Sequence, residues 1–263
     1  MEETISCVGK CTRREGEHAD VLCTVKGKKS KKPSSSEVLA ALQAVGKFPV
    51  EKRRSVRKSA TDKKEGFVLG YVLNYMTGWC ASRMTCRYPG LAKLLCRYMR
   101  SHDPKFKFTS IMVNKGTSAL HVDSINCGPS YIVSLGKHTG GELWQYADAK
   151  AGQVLKIKDK FTLTNGLLPH MTLPYSGERF SLVFYSNKGE RKMPKPEQAN
   201  FLKRLGFNSP KQRGACSDPA RSDLLPAAAV QLKAILLRKG LSASAAKAAI
   251  GDYTNKSIPR SHG

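Results

Sequence analysis

The sequence predicts a mainly β protein with flanking helices, an α+β chain built on a double-stranded β-helix (jelly-roll) core. Three observations predict it. Seven or eight short apolar or alternating segments crowd into about 80 residues between Lys107 and Ser186. Turn signals separate them, Asn165-Gly166 being the strongest. Helical patterns flank this block on both sides.

Residues 1–65 read as a basic, largely disordered arm. Lys26 to Ser36 (KGKKSKKPSSS) combines like charges, proline and serines, so it has little apolar surface to bury. Glu37 to Val45 has the composition for two helical turns behind a serine cap, and Glu51 to Lys64 is again a basic tether. Cys7, Cys11, His18 and Cys23 form a possible zinc donor set, but their spacing matches no compact zinc motif and unrelated thiols are the better reading.

Residues 66–190 are the predicted jelly-roll domain. Phe67 to Trp79 is apolar and aromatic and must be covered. Pro89 to His102 reads as an amphipathic helix, with proline in its first turn and Leu91, Leu94, Leu95, Tyr98 and Met99 on one face. The strands follow: Phe108–Asn114, Ser118–Asp123, Ser130–Gly136, Glu142–Tyr146, Gln153–Lys158, Lys160–Asn165, Leu167–Pro174 and Glu178–Ser186. Residues 191–223 read as a basic linker. Residues 224–263 read as a small helical tail broken at Gly240.

The chain has 263 residues, with 45 Lys and Arg against 20 Asp and Glu, a formal charge of +25. Net charges of +7, +8 and +10 fall on residues 1–65, 66–190 and 191–263. A polyanion is the default partner for such an excess. A hydrophobic content of 40% excludes a wholly disordered chain. No stretch reaches the roughly 18 apolar residues of a membrane span, and the first residues lack the pattern of a secretory signal. Eight cysteines without such a signal are expected to be unpaired thiols in a reducing compartment.

The chemistry concentrates in the strands. His121 and Asp123 are two residues apart on a predicted strand, so their side chains share a face. His170 lies on a later strand. Two imidazoles and one carboxylate on one side of a metal leave positions open, as a non-haem Fe(II) oxygenase requires. Arg179 follows nine positions later, and Ser181 shares its face. A guanidinium with a neighbouring hydroxyl suits the distal carboxylate of 2-oxoglutarate. Each residue alone has a bland reading: a satisfied strand histidine, a chance pair, a surface arginine. Their order on successive strands is what carries the assignment. Trp144 and Tyr146 could stack on a base but are more simply half-buried strand aromatics. His138, in a hairpin turn, is expected to be exposed.

The block from Phe108 to Ser186 resembles the Fe(II)/2-oxoglutarate dioxygenases. Within them it is most similar to the TET and J-binding-protein type of base oxygenase of protists. The finer likeness rests on Val113-Asn114, on Asn126-x-Gly128-x-Ser130 and on Thr139 to Leu143. The resemblance implies Fe(II) on His121, Asp123 and His170, and 2-oxoglutarate on Arg179 with Ser181. It places Asn114 and Tyr131 as cosubstrate-pocket residues, and Asn126 and Ser130 as supports of the metal loop. It also implies hydroxylation of a C–H bond coupled to conversion of 2-oxoglutarate to succinate and CO2. Ascorbate is the alternative cosubstrate, and Arg179 with Ser181 favours 2-oxoglutarate.

Residues Ala229 to Ile250 resemble a SAP module, a helix pair that binds DNA, with Leu232, Ile235 and Leu236 inside. Lys233, Arg238, Lys239 and Lys247 would then face phosphates; an alanine-rich tail with a solvated basic face is the alternative. Three functions remain in view. The first is oxidation of the methyl group of thymine or 5-methylcytosine in nucleic acid, most simply DNA, which requires an extruded base. The second is prolyl or lysyl hydroxylation with the same chemistry. The third is non-catalytic nucleic-acid binding by a degenerate oxygenase fold. The runs Lys26–Pro33 and Lys52–Lys58 resemble nuclear import signals by charge density and point to the nucleus, although phosphate-binding arms look the same.

Overall fold

The computed structural model describes residues 32–49, 65–74, 78–148, 151–188, 196–208 and 218–251. The proposed zinc set Cys7, Cys11, His18 and Cys23 lies outside these residues, as do most of the basic arm and both lysine-rich runs, apart from Lys32 and Pro33.

Helix α1 (Ser35–Ala44) starts where the serines predict. Ser34 accepts from the Glu37 amide, and Glu37 returns a bond to the Ser34 amide, a reciprocal capping box. Its Val38 and Leu42 are fully buried. Strands β1 (Glu65–Asn74) and β2 (Gly78–Ala81) form a hairpin, followed by α2 (Arg83–Arg87) and α3 (Pro89–His102). The amphipathic reading of α3 holds: Leu91, Leu95, Tyr98 and Met99 are buried, and Leu94 is half-buried.

Strands β3 (Ser110–Lys115), β4 (Ser130–Leu135), β5 (His138–Gly140), β6 (Leu143–Gln145), β7 (Gln153–Leu155), β8 (Thr162–Thr164), β9 (His170–Thr172), β10 (Tyr175–Gly177) and β11 (Phe180–Tyr185) follow. A six-stranded sheet runs β2-β1-β3-β11-β4-β8, a three-stranded sheet runs β7-β6-β9, and β10 pairs with β5. All strand pairings are antiparallel.

Alternation along the strands sorts side chains into layers. On one face of the large sheet, Ile111, Val113, Val133, Leu135, Phe180, Leu182 and Phe184 join the main core, with α1, α3 and α4 (Pro196–Leu205). The other face meets the small sheet, where Ile132 of β4 clusters with Leu143 of β6 and with Ile157, and Val183 and Leu155 pack around them. The far face of the small sheet presents Trp144 and Met171 to α5 (Leu225–Arg238) and α6 (Ala243–Ile250). Helices therefore cover both outer faces of a two-sheet jelly roll, the α+β architecture predicted.

The structure changes several sequence expectations. Strands β1 and β2 extend the large sheet, so the fold begins before the strand-rich block. The Ser118–Asp123 segment forms no strand; only His121 bridges, to His170. The stretch read as a linker contains α4, whose Phe201, Leu202 and Leu205 are buried in the main core. Residues 224–250 share a core with the small sheet, through Leu232 and Leu236 against Trp144, Met171 and Leu173. Cys80 and Cys96 are free thiols as expected, but Cys127 is disulfide-bonded. Among the described residues no helix is long and apolar enough to cross a membrane.

Candidate metal centre

His170 opens β9 and sits opposite Gln145 of β6. Alternation turns His170 and Gln145 towards the large sheet and turns Met171 and Trp144 outward. His121 is aligned by two backbone bonds, its amide to the His170 carbonyl at 3.1 Å and the reverse at 2.9 Å. This bridge does the work assigned to a strand: it brings the two imidazoles to a ring separation of 4.3 Å. The Asp123 amide donates to the Gly166 carbonyl at 2.8 Å, which fixes the third residue.

One donor atom from each of His121, Asp123 and His170 lies within 4.8 Å of the others. Asp123 Oδ1 is 3.6 Å from His121 Nε2, and Asp123 Oδ2 is 3.8 Å from His170 Nε2. The Nδ1 atoms approach backbone carbonyls, His121 at 2.7 Å from Ala119 and His170 at 2.8 Å from Leu168. A carbonyl can only accept, so both Nδ1 atoms carry hydrogen and both Nε2 lone pairs point into the cluster. That tautomer assignment by an outer partner is how metal-binding histidines are held. Asn126 Nδ2 donates to Asp123 Oδ2 at 3.0 Å, the supporting role expected of it.

Gly166 shows why the Asn-Gly turn matters beyond reversing the chain. A Cβ there would lie 2.8 Å from Asp123 Oδ2 and 2.6 Å from Asn126 Nδ2. Gln145 anchors the same turn, accepting from Thr164 Oγ1 at 2.6 Å and from the Asn165 amide at 2.9 Å. The three donor atoms converge from one side, two imidazoles and one carboxylate, which is the donor set of non-haem Fe(II) sites with open positions.

Arg179 is the second feature. It is 1% exposed, and burial lowers its pKa to about 10, with Tyr175 and Glu142 opposing the shift. It therefore remains a cation at neutral pH. Its Nη1 donates to the Gly116 carbonyl at 3.4 Å, while Nε and Nη2 are buried with no hydrogen-bond partner. Buried guanidinium donors without an acceptor are costly, and a bidentate anion is the group that would satisfy them. Gly141 makes room beside it: a Cβ there would lie 2.7 Å from Arg179 Nε.

Register places the remaining predicted residues. Asn114 of β3 pairs with Ser181 of β11, and Ser181 pairs with Ser134 of β4, a polar row on the face turned to the small sheet. Asn114 and Ser181 thus lie on the predicted side. Tyr131 does not: it is one residue out of phase, packs against the main core with Phe106 and Phe161, and approaches Asp103 at 3.4 Å. Its reading as a cosubstrate-pocket residue is corrected by strand alternation. His138 is 3% exposed rather than exposed, because β5 and β10 close over it. Trp144 is buried beneath α5 and α6, so its bland reading stands.

Lys233, Arg238, Lys239 and Lys247 are exposed on the last two helices. Lys239 reaches Glu142 at 3.7 Å and ties α5 to the hairpin beside Arg179. Gly166, which borders Asp123 and Asn126, was missed by sequence reasoning. Ser134 joins the polar row by its phase with Ile132, two residues earlier on the same strand, and burial of His138 left no mark in the sequence.

No family model matches the sequence, and no curated protein matches it. Three of the solved structures similar to this chain are these. NgTET1 in complex with 5mC DNA aligns at 16% identity and a TM-score of 0.42, over 65% of this chain and 74% of the other. An oxidoreductase of the 2OG-Fe(II) oxygenase family from Burkholderia pseudomallei aligns at 15% and 0.41, over 63% and 98%. A prolyl hydroxylase from Trichoplax adhaerens, in complex with a hypoxia inducible factor peptide, aligns at 15% and 0.39, over 63% and 80%. At these identities and scores the likeness assigns no residue of this chain a role.

Proposed function

We propose that this chain is an Fe(II)- and 2-oxoglutarate-dependent oxygenase that hydroxylates the methyl group of a pyrimidine base in nucleic acid. The observation that carries the chemistry is a conjunction. Three donor atoms of His121, Asp123 and His170 converge, and a buried Arg179 has two donors without a partner. The first fits Fe(II). The second fits the distal carboxylate of a 2-oxo acid.

When bound, iron and the 2-oxo acid supply dioxygen activation and oxidation of a C–H bond. The chain supplies orientation. Ala119 and Leu168 hold the two imidazoles with Nε2 free, and Asn126 fixes one oxygen of Asp123. Arg179 with Ser181 sets the position of the cosubstrate from its far end. The side chain of Asp123 is 28% exposed, against 9% and 10% for His121 and His170, so substrate approaches past the carboxylate. The surrounding sheets keep water away from the rest.

Support for a nucleic-acid substrate is the charge of +25, its concentration towards both ends, and the exposed Lys233, Arg238 and Lys247 on helices seated behind the metal-bearing sheet. The +7 of residues 1–65 and the +10 of residues 191–263 would give salt-sensitive phosphate affinity. A nuclear location accompanies this reading, through the basic runs of the arm.

The test is anaerobic loading with Fe(II), then aerobic incubation with 2-oxoglutarate and methylated DNA, RNA or a peptide library. Succinate and hydroxymethylated pyrimidine are expected together, and Asp123→Ala should abolish both. Succinate formed with peptides alone would overturn the nucleic-acid substrate. Absence of succinate with every substrate, from protein that binds neither iron nor 2-oxoglutarate, would overturn the enzyme.

A further inference from the structure

We propose that Ser134 is a third holder of the cosubstrate's distal carboxylate, and that His138 behind it takes up one proton from solvent when that anion binds. The inference rests on the 2-oxoglutarate reading of Arg179 and deepens it.

Ser134 and Ser181 are register partners on β4 and β11, and both are buried. Arg179 and Ser181 share a face by alternation. The next row of the same face, Ile132 and Val183, is apolar. The hydroxyls therefore form the row next to Arg179, between its row and the apolar row of Ile132 and Val183. His138 belongs to the same group. It lies across from Gly177, its ring is 6.2 Å from Tyr175, and Tyr175 in turn lies 5.4 Å from the Arg179 guanidinium.

The hydrogen bonds around His138 define its state. Nδ1 is 3.0 Å from the Gly140 carbonyl, so Nδ1 carries a hydrogen. Nε2 is 3.3 Å from Ser134 Oγ. With a neutral ring, Nε2 is an acceptor and the Ser134 hydroxyl donates to it. Its oxygen then turns lone pairs towards the interior, the wrong polarity for a carboxylate. The charged groups near His138 are Arg179 and Lys158, which disfavour its protonation, and Asp159, which favours it; Tyr175 and Glu178 complete the surroundings. Burial is the largest influence and also favours the neutral ring.

An arriving carboxylate reverses this balance. It offsets the Arg179 charge and demands a donor from Ser134. Protonation of His138 at Nε2 meets both needs. Nε2–H donates to Ser134 Oγ, and the freed hydroxyl hydrogen donates to the carboxylate. One proton enters from the buffer and none is lost elsewhere. His138 is thus a positioning residue, and Ser134 a binding residue.

The test is anaerobic calorimetry of 2-oxoglutarate binding to the Fe(II)-loaded full chain, in two buffers of different ionisation enthalpy. Proton uptake approaching one per site is expected above pH 7, and affinity should fall up to about tenfold per pH unit there. 2-Oxopentanoate, which lacks the distal carboxylate, should bind without uptake. His138→Gln should retain affinity within a few-fold, because its amide donates to Ser134 at every pH, but should lose the uptake. Ser134→Ala should weaken 2-oxoglutarate about tenfold or more and leave 2-oxopentanoate unchanged. Equal uptake in wild type and His138→Gln would overturn the proposal while leaving the cosubstrate reading intact. Failure of the wild type to bind 2-oxoglutarate would instead sink the cosubstrate reading and the proposal with it. Circular dichroism separates a misfolded variant, in which case Ser134→Ala decides alone.

Discussion

Replacing Leu232 by alanine asks whether the last two helices belong to the metal-bearing domain or stand as an independent module. Leu232 is fully buried, in a cluster that takes Leu236 and Ala246 from the helices and Trp144, Met171 and Leu173 from the small sheet. Truncating a leucine at such a site costs about 2–5 kcal/mol, from lost transfer energy plus the cavity left behind. For a chain of this size each kcal/mol lowers Tm by about 2–4 °C, so a cost of ~3 kcal/mol moves the transition by about 6–12 °C. Thermal unfolding followed by circular dichroism measures it. The internal control is Val230→Ala on the same helix: Val230 is 73% exposed, so the change should stay within about 0.5 kcal/mol. The shared core predicts one transition that shifts as a whole. An unmoved main transition, with a separate low-temperature loss of helix, would refute it. Metal affinity should weaken as well, because Met171 faces this core while its neighbour His170 faces the candidate donor cluster.

Other outcomes follow from the site. Adding Mn(II) or Fe(II) should raise Tm, by the equivalent of about 2.7 kcal/mol at a hundredfold excess over Kd, and Asp123→Ala should remove the rise; an identical rise in that variant would place the metal elsewhere. Gly166→Ala should cut metal affinity at least tenfold with little change in secondary structure, since the added carbon lands 2.8 Å from Asp123 Oδ2; metal titration checks it. In native alkylation Cys80 should react well before Cys96, whose thiol is fully buried and pushed far up by desolvation, and peptide mass mapping reads the order. Burial lowers the pKa of His138 from the ordinary 6.5, so below that value the unfolded chain binds a proton the folded chain refuses. Stability falls with acid there, and His138→Gln should flatten that part of the pH dependence of Tm.

Much of the site was legible because its chemistry is local in sequence. His-x-Asp, a later strand histidine and an arginine before the last strand are residue types with few other reasons to occur in that order. Tyr131 was misplaced for a different reason. Residues 131 and 130 are equally compatible with the strand, and only the packing of Phe106 and Phe161 decides which face is which. His138 was misjudged because hairpin turns are usually exposed, and its cover comes from β10, some forty residues away.

By itself, the sequence determined the strand-rich block, the helix with its buried leucines, the excess of positive charge and the candidate donor residues. All of these are set by period, composition and side-chain chemistry, which a linear chain carries openly. Tertiary structure alone decided four things. It joined His121 to His170 without a strand at His121, left two Arg179 donors unpartnered, aligned Ser134 with Ser181, and folded α5 and α6 onto the back of the metal sheet. Each depends on which distant segments become neighbours. That choice is made by burying apolar faces against one another, not by any residue's own preference.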